Sequence, residues 1–377
     1  MKIVYIYGQL PAYRRDFFNL LNKSLEEKGH TLKVLYGNEA KNESLQVREN
    51  LGFDASPFNI RSVLNRGPIH ITRFIGLIDQ FEAEKPDICI SQFHVAVLTN
   101  WSLLRYMRKK RIPYIVWDCN YLKPELGGKA VKLRTALLKK VYKGAAGFLT
   151  YGTKFKDYLQ EIGRNPEDII VAQNTINVER ILESRSSKCN NRDYNHPLHI
   201  LYVGVVNNRK NVELAIEAVT QLIKDGKDIH FDIVGGGDSF DSCQSLIKQL
   251  GMIDRIVMHG PKHGKESQVF FESADLFLLP GTGGLAINEA MAYALPIIAT
   301  EGDGTIVDLI DGNGYLLENY GDVNEIREAI LKFVNLSPEE KQRMAKRSEE
   351  IVTQKALLRN LVERHIESIE KCLEKAK

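Results

Sequence analysis

The chain has 377 residues, 44% hydrophobic and 26% charged, with 12 prolines, a composition that allows two globular domains and excludes collagen-like or largely disordered chains. Net charge is only +3, but residues 1–190 carry 30 basic against 19 acidic side chains and residues 191–377 carry 21 against 29, so the halves face different partners. The five cysteines, Cys89, Cys119, Cys189, Cys243 and Cys372, are scattered and never at metal-ligand spacing, which argues for reduced thiols and against a disulfide framework.

The first run, Lys2–Tyr7, alternates as a strand and lacks the basic start and long apolar stretch of a secretory signal. No apolar run approaches the roughly 20 residues that span a bilayer, so the expected location is the cytoplasm. A helix at Arg14–Lys28, a strand at Thr31–Tyr36 and strands at Asp87–Ser91, Tyr114–Trp117 and Gly147–Thr150 follow, with helices between. Arg105–Arg111 and the stretch 123–143 hold much of the basic excess, the latter with Lys129, Lys132, Arg134, Lys139, Lys140 and Lys143 against the single acid Glu125. Leu133, Leu137, Leu138 and Val141 are interleaved at helical spacing, which fits either an interfacial helix on anionic headgroups or a solvated basic face over core leucines. No aromatic-interleaved basic motif points to nucleic acid.

Ser184–Pro197 is polar and aperiodic and reads as a linker, placing a domain boundary at 190/191. Beyond it strand and helix alternate again: strands at His199–Val203, His230–Val234, Ile256–His259, Leu276–Leu279 and Ile297–Ala299, helices at Asn211–Lys224, Ser242–Leu250, Lys265–Ser273 and Leu285–Ala294. The pattern predicts an α/β protein of two doubly wound, Rossmann-like domains, 1–190 and 191–354, facing a central cleft, with ligands at the carboxyl ends of the strands. Residues 355–377 put Leu357, Leu361, Ile366, Ile369 and Leu373 near one helix face and are expected to pack back on the first domain.

The strongest chemical signal is SADLFLLPGTGGLAINEAMAYALPIIAT, Ser273–Thr300. A buried strand ends at Pro280, and a glycine turn, Thr282, Gly283, Gly284 and Leu285, opens a helix whose free N–H groups suit phosphate oxygens. Glu289, about one turn further in, could accept both hydrogen bonds of a ribose diol. A glycine-rich connection with a surface Glu is the plainer alternative. Next, ILYVGVVNNRKNVELAIEA ends a strand at Gly204 and delivers Arg209 and Lys210 just before a helix, cations that would neutralise a leaving diphosphate. IVGGGD, with Gly236, lacks the spaced glycines and distant acid of dinucleotide enzymes but permits close backbone approach. His259, Gly260, Pro261 and Lys262 close another strand in the manner of a nucleobase shelf.

This ordered series over about 170 residues, completed by IVDLIDGNGYLLE, resembles the catalytic domain of the group-one, family-four glycosyltransferases. YGQLPAYRRDFFNLL, with Gly8, Arg14 and Arg15, more loosely resembles the opening of bacterial polysaccharide-building members. The resemblance implies the two-domain GT-B fold and transfer with retention. It also implies that Lys210 and Arg209 contact the donor diphosphate, Glu289 the ribose, Thr282–Leu285 the sugar and phosphates, and that Gly8 approaches the diphosphate. His94 stands where relatives keep a histidine near the acceptor; a structural histidine is the alternative. Three departures are visible: Gly281 occupies the position, eight before Glu289, where relatives carry a glutamate that reads the donor sugar; Val205 follows the strand glycine in place of Arg; and Trp117 stands where relatives have a histidine.

No carboxylate pair brackets a bond as in a glycosidase, and no Asp-x-Asp metal motif follows a strand, so neither a metal nor a cofactor is expected. The expected partners are a nucleotide-sugar donor and a saccharide or lipid-linked acceptor, with peripheral membrane contact through 123–143. A non-catalytic or donor-altered nucleotide-binding protein is the main rival, and a nucleotide-sugar epimerase a weaker one.

Overall fold

A computed structural model describes residues 1–38, 51–66, 69–119, 128–302 and 304–376. The chain forms two compact units, Met1–Gln173 with Arg359–Lys377, and Asn174–Leu358.

The first unit contains β1 (Lys2–Tyr7), α1 (Arg14–Glu27), β2 (Thr31–Asn38), β3 (Asp54–Arg66), β4 (Ile69–Ile75), α2 (Leu77–Glu84), β5 (Ile88–Ser91), α3 (Leu98–Lys110), β6 (Tyr114–Asp118), α4 (Lys129–Lys143), β7 (Gly147–Thr150), α5 (Thr153–Glu161) and β8 (Ile169–Val171). Its eight-stranded sheet runs β4-β3-β2-β1-β5-β6-β7-β8 and is parallel except for the antiparallel pair β3–β4. The order grows one way from β1 through β2 and the other way through β5, so the loops after β1 and β5 splay apart at a switch point. The hairpin β3–β4 has no counterpart in the sequence reading: Asn59, Arg61, Asn65 and Arg66 break any apolar alternation because residues 61–66 are exposed.

The second unit contains α6 (Val178–Ser184), β9 (Leu198–Val203), α7 (Val212–Lys224), β10 (Ile229–Val234), α8 (Phe240–Gln249), β11 (Ile256–Gly260), α9 (Lys265–Ser273), β12 (Leu276–Leu279), α10 (Leu285–Ala292), β13 (Ile297–Thr300), β14 (Gly314–Leu317), α11 (Val323–Val334) and α12 (Pro338–Lys355). Its six-stranded parallel sheet, β11-β10-β9-β12-β13-β14, has its switch point between β9 and β12. β12 and β13 are buried at every residue, as central parallel strands covered on both faces require. α7 buries Val212, Ala215, Ile216, Val219 and Leu222 at helical spacing, packed against β10 and the helices α8 and α11.

The boundary expected at 190/191 falls instead at 173/174, and Ser184–Pro197 is not a free linker. Arg192 donates to the carbonyls of Glu272 (2.9 Å), Phe271 (3.1 Å), Tyr293 (2.8 Å) and Ala274, and Arg185 to Ala292 O and the Glu349 carboxylate. Cys189 lies in the core of this unit. Polar residues are used here to satisfy the ends of α9 and α10, which leaves no hydrophobic period to read. The C-terminal helix also begins later than expected. α12 ends at Lys355, Ala356 and Leu357 join the second core, and α13 (Leu358–Ala376) buries Leu361, His365, Ile366, Ile369 and Leu373.

Candidate functional site

In the second unit the loops after β9 and β12 meet at the switch point. Thr282 N donates to Arg209 O at 3.0 Å and Thr282 Oγ1 to the same carbonyl at 3.3 Å; Tyr320 OH donates to it at 2.8 Å. Lys210 Nζ donates to Thr282 O, so the ammonium sits on the glycine turn. Gly283 has φ +147°, open to glycine at little cost, and a Cβ there would overlap Lys210 Nζ. α10 starts at Leu285 with Gly284 as an N-cap that offers no side-chain hydrogen bond. The first-turn N–H groups and a cation are thereby gathered at one point.

Gly281 is closed to side chains. A Cβ there would fall inside the van der Waals envelope of Arg209 O and of Lys210 Cα and C. Its absence of a carboxylate is thus built into the path of the neighbouring loop. Glu289, on the first turns of α10, is half-buried, and burial pushes its carboxyl up to about 7. Among the described residues its carboxylate has no hydrogen-bonding or ion-pair partner.

The other glycines serve close approach. A Cβ on Gly235 would overlap Gly204 O, and one on Gly236 would press on Pro261 Cγ at 3.1 Å. Val206 N donates to Gly236 O at 2.9 Å and Gly235 N to Gly260 O at 2.9 Å, tying the loops after β9, β10 and β11 into one layer. The His259 ring is occupied: Nε2 lies 2.6 Å from Asp232 Oδ1 and the ring packs on Phe270 at 4.4 Å between centroids. Pro261 and Lys262 stand beyond it, exposed and half-buried, while the Arg209 side chain is exposed.

Three supporting residues escaped the sequence reading. Asn211, 7% exposed, adopts φ +52° and donates from Nδ2 to Pro280 O at 3.2 Å, and Thr300 Oγ1 donates to that carbonyl at 2.8 Å. Asn288, 1% exposed, donates to Asn174 O at 2.8 Å. An Asn immediately before a helix is a signal for the left-handed conformation; the other two carry none.

In the first unit, Gly8 and His94 follow β1 and β5 at that sheet's switch point. A Cβ on Gly8 would meet nothing nearer than Phe74 Cζ at 3.9 Å, so packing of the chain does not demand this glycine. Phe93 is held at φ +50°, and Val97 N and Asn100 Nδ2 donate to His94 O at 3.1 and 3.0 Å. The exposed His94 ring places Nε2 3.1 Å from Gln92 Oε1. Desolvation by the surrounding protein, with the Arg134 guanidinium, holds its pKa below the ordinary imidazole value. Arg14 and Trp117 belong to the core: the guanidinium lies 4.6 Å from the Trp117 ring centroid and donates to Tyr7 OH at 3.1 Å.

Of the stretch 123–143, residues 123–127 lie outside the described residues. On α4, Leu138 and Val141 are buried, Leu133 is 63% exposed, and Lys132, Lys139, Lys140 and Lys143 are exposed. Among the described residues no group of three or more His, Cys, Asp or Glu side chains converges, and no helix is long and apolar enough to cross a membrane.

Residues 19–180 match the model described as Glycosyltransferase Family 4 and residues 186–351 that of Glycosyl transferases group 1. The chain is 30% identical over 167 residues to the putative colanic acid biosynthesis glycosyltransferase WcaL of Escherichia coli, covering 41% of each chain. It is 31% identical over 170 residues to the amylovoran biosynthesis glycosyltransferase AmsK of Erwinia amylovora, covering 42% of this chain and 41% of that one. These matches span about two fifths of each relative's length. The crystal structure of HepE from Anabaena in complex with UDP superposes with a TM-score of 0.71 at 16% identity, covering 98% of this chain and 100% of that one, a likeness of fold that is of the GT-B class.

Proposed function

Because the chain belongs to the glycosyltransferases, with a family-four domain followed by a group-one domain, we propose that it moves a hexose-type sugar from a nucleotide-diphosphate donor to a saccharide or lipid-linked saccharide in cell-surface polysaccharide synthesis. The observation that carries this is the meeting, at one switch point, of the Lys210 ammonium, the uncapped start of α10 and the half-buried Glu289. The donor diphosphate takes the place of Thr282 O at Lys210 and draws on the first-turn N–H groups of α10, and Glu289 accepts the ribose hydroxyls. Charge building on the departing diphosphate is neutralised by these fixed dipoles and cations, and loss of one such contact costs a factor of about 10²–10³ in rate.

No general base is needed if the departing phosphate oxygen itself takes the acceptor proton as the hydroxyl attacks from the same face, a course that retains configuration and requires no metal. The first unit holds the acceptor near Gly8 and His94, a neutral His94 serving as hydrogen-bond partner for a hydroxyl. Its basic excess supports peripheral binding to an anionic membrane at the cytoplasmic face. The donor-altered reading is favoured by one feature, the closure of Gly281 to any side chain: the sugar hydroxyls that relatives read with a glutamate are met differently here.

Calorimetry with UDP, GDP, dTDP and ADP and their sugar conjugates, in the presence of a chelator, tests the proposal. HepE's complex with UDP makes UDP the first candidate. Micromolar binding of one nucleotide, weakened by about 1.5–3 kcal/mol in Lys210→Ala, is expected; binding of none, or binding that demands a divalent ion, overturns it.

A further inference from the structure

β2 ends at Asn38, opposite Asn59, whereas β3 runs on to Arg66. At about 3.3 Å per residue the ribbon therefore projects on the order of 20 Å past the end of its inner neighbour. Over that length, among the described residues, β3 pairs with β4 alone, β4 is in turn bridged at Thr72 to Val97 with Thr72 N donating to Ala96 O at 3.1 Å, and residues 61–66 are all exposed. Phe74 and Ile60 anchor the base of the ribbon on the core, but the stretch 61–66 lies beyond it and has no core of its own, so its side-chain pattern reflects something other than packing.

The pattern is cationic and aliphatic. Arg61 stands directly opposite Arg73, and the register shift between Ser62 and Leu64 keeps Leu64, opposite Ile71, on the face of the two arginines. Opposed like charges destabilise a strand pair, and among the described residues Arg61, Arg66 and Arg73 have no acidic partner. Not one Asp or Glu occurs between Ala55 and Ile75. Val63 and Leu64 are 52% and 41% exposed.

We propose that the β3–β4 ribbon is the surface by which this protein docks on an anionic phospholipid bilayer, with Arg61, Arg66 and Arg73 on headgroup phosphates and Val63 and Leu64 at the acyl boundary. Guanidinium groups suit phosphate oxygens, and apolar side chains beside them match the layered chemistry of the interface. The β4 edge is already bridged at Thr72 to Val97, which leaves little of it for a second copy to pair with, whereas the bilayer supplies both anions and an apolar edge. α4 offers lysines with Leu133 as its exposed large apolar residue and buries Leu138 and Val141. The ribbon projects from the carboxyl edge of its sheet, the edge that carries Gly8 and His94, so docking through it turns those loops towards the membrane surface. Nothing in this depends on sugar transfer.

The test is co-sedimentation of the full chain with vesicles of phosphatidylethanolamine and phosphatidylglycerol, and with phosphatidylcholine alone. Each surface cation contributes about a factor of five in partition, so Arg61→Gln with Arg73→Gln is expected to lower binding to the anionic vesicles about 25-fold. Leu64→Asn is expected to weaken it without changing its salt dependence, and Leu64→Trp to give an indole emission that moves to the blue on vesicle addition. Circular dichroism and nucleotide binding unchanged from wild type show that these exposed variants are folded. Absence of wild-type binding to anionic vesicles overturns the proposal. So does unchanged binding in the double Gln variant, or an emission from the Leu64→Trp variant that stays unshifted while the protein is bound. A vesicle-independent dimer abolished by Leu64→Asn would assign the ribbon to a second copy and overturn it as well.

Discussion

Glu289 gives the sharpest test of the donor site, because its burial couples nucleotide binding to pH. In the free protein its carboxyl titrates at about 7, raised by desolvation alone. A ribose diol donates hydrogen bonds, so it binds the carboxylate, and affinity follows the deprotonated fraction. That fraction rises from about one tenth at pH 6 to about nine tenths at pH 8, which makes nucleotide binding about tenfold tighter at pH 8. Calorimetry in buffers of different ionisation enthalpy should record release of about half a proton at pH 7. The same shift appears in stability with a definite sign. A folded pKa above the unfolded one means the neutral acid favours the folded state; that contribution is present at low pH and is lost as pH rises through about 7. Glu289→Gln is therefore expected to stabilise the nucleotide-free protein by about 2–3 kcal/mol at pH 8 and hardly at pH 4, while weakening nucleotide binding. A wild-type affinity flat between pH 6 and 8, or the same slope retained in Glu289→Gln, would refute the assignment.

Gly281→Ala forces a Cβ into Arg209 O and the Lys210 backbone; it is expected to lower stability by about 1–3 kcal/mol, read by denaturant melts, and Gly281→Glu is expected to lose nucleotide binding rather than recover a sugar contact. Arg192→Met strands four carbonyls at the ends of α9 and α10 and in the turns after them and is expected to cost about 2–4 kcal/mol in thermal or urea unfolding; a loss under about 0.5 kcal/mol would show that this segment contributes little to the second unit.

How far the fold was legible depends on where each element is buried. The central strands β12 and β13 are sequestered on both faces and read as unbroken apolar runs: Leu276–Leu279 matches its expected bounds, as does the helix Lys265–Ser273. β3 and β4 were invisible because the distal stretch 61–66 is exposed throughout, so no period is imposed on it. Arg185 and Arg192 misled for a related reason. Satisfying carbonyls at element ends asks for donors of the right reach and no regular spacing, so the stretch resembled a linker while lying against the second core. The same holds for Thr300 and Tyr320, which tie the end of β13 and the segment after β14 to the two loops of the site by single hydrogen bonds. The glycines and Lys210, by contrast, stood out because only glycine permits the backbone approaches seen at Gly235, Gly281 and Gly283.

Gly281 ties these points together. Read as sequence, it is a missing glutamate that bears on the donor sugar; in the fold, it is the position over which the Arg209–Lys210 backbone passes, with the Lys210 ammonium seated on the turn. A side chain there would press on that backbone, so in this chain the seat of Lys210 goes with the glycine. The chain has retained the cation and the open start of α10 and given up the carboxylate. Neutralising a departing diphosphate needs the first two and tolerates the absence of the third, whereas reading a particular sugar hydroxyl does not. On the proposed function, the departure bears on which sugar is moved and leaves in place the cation and the helix start assigned to the diphosphate.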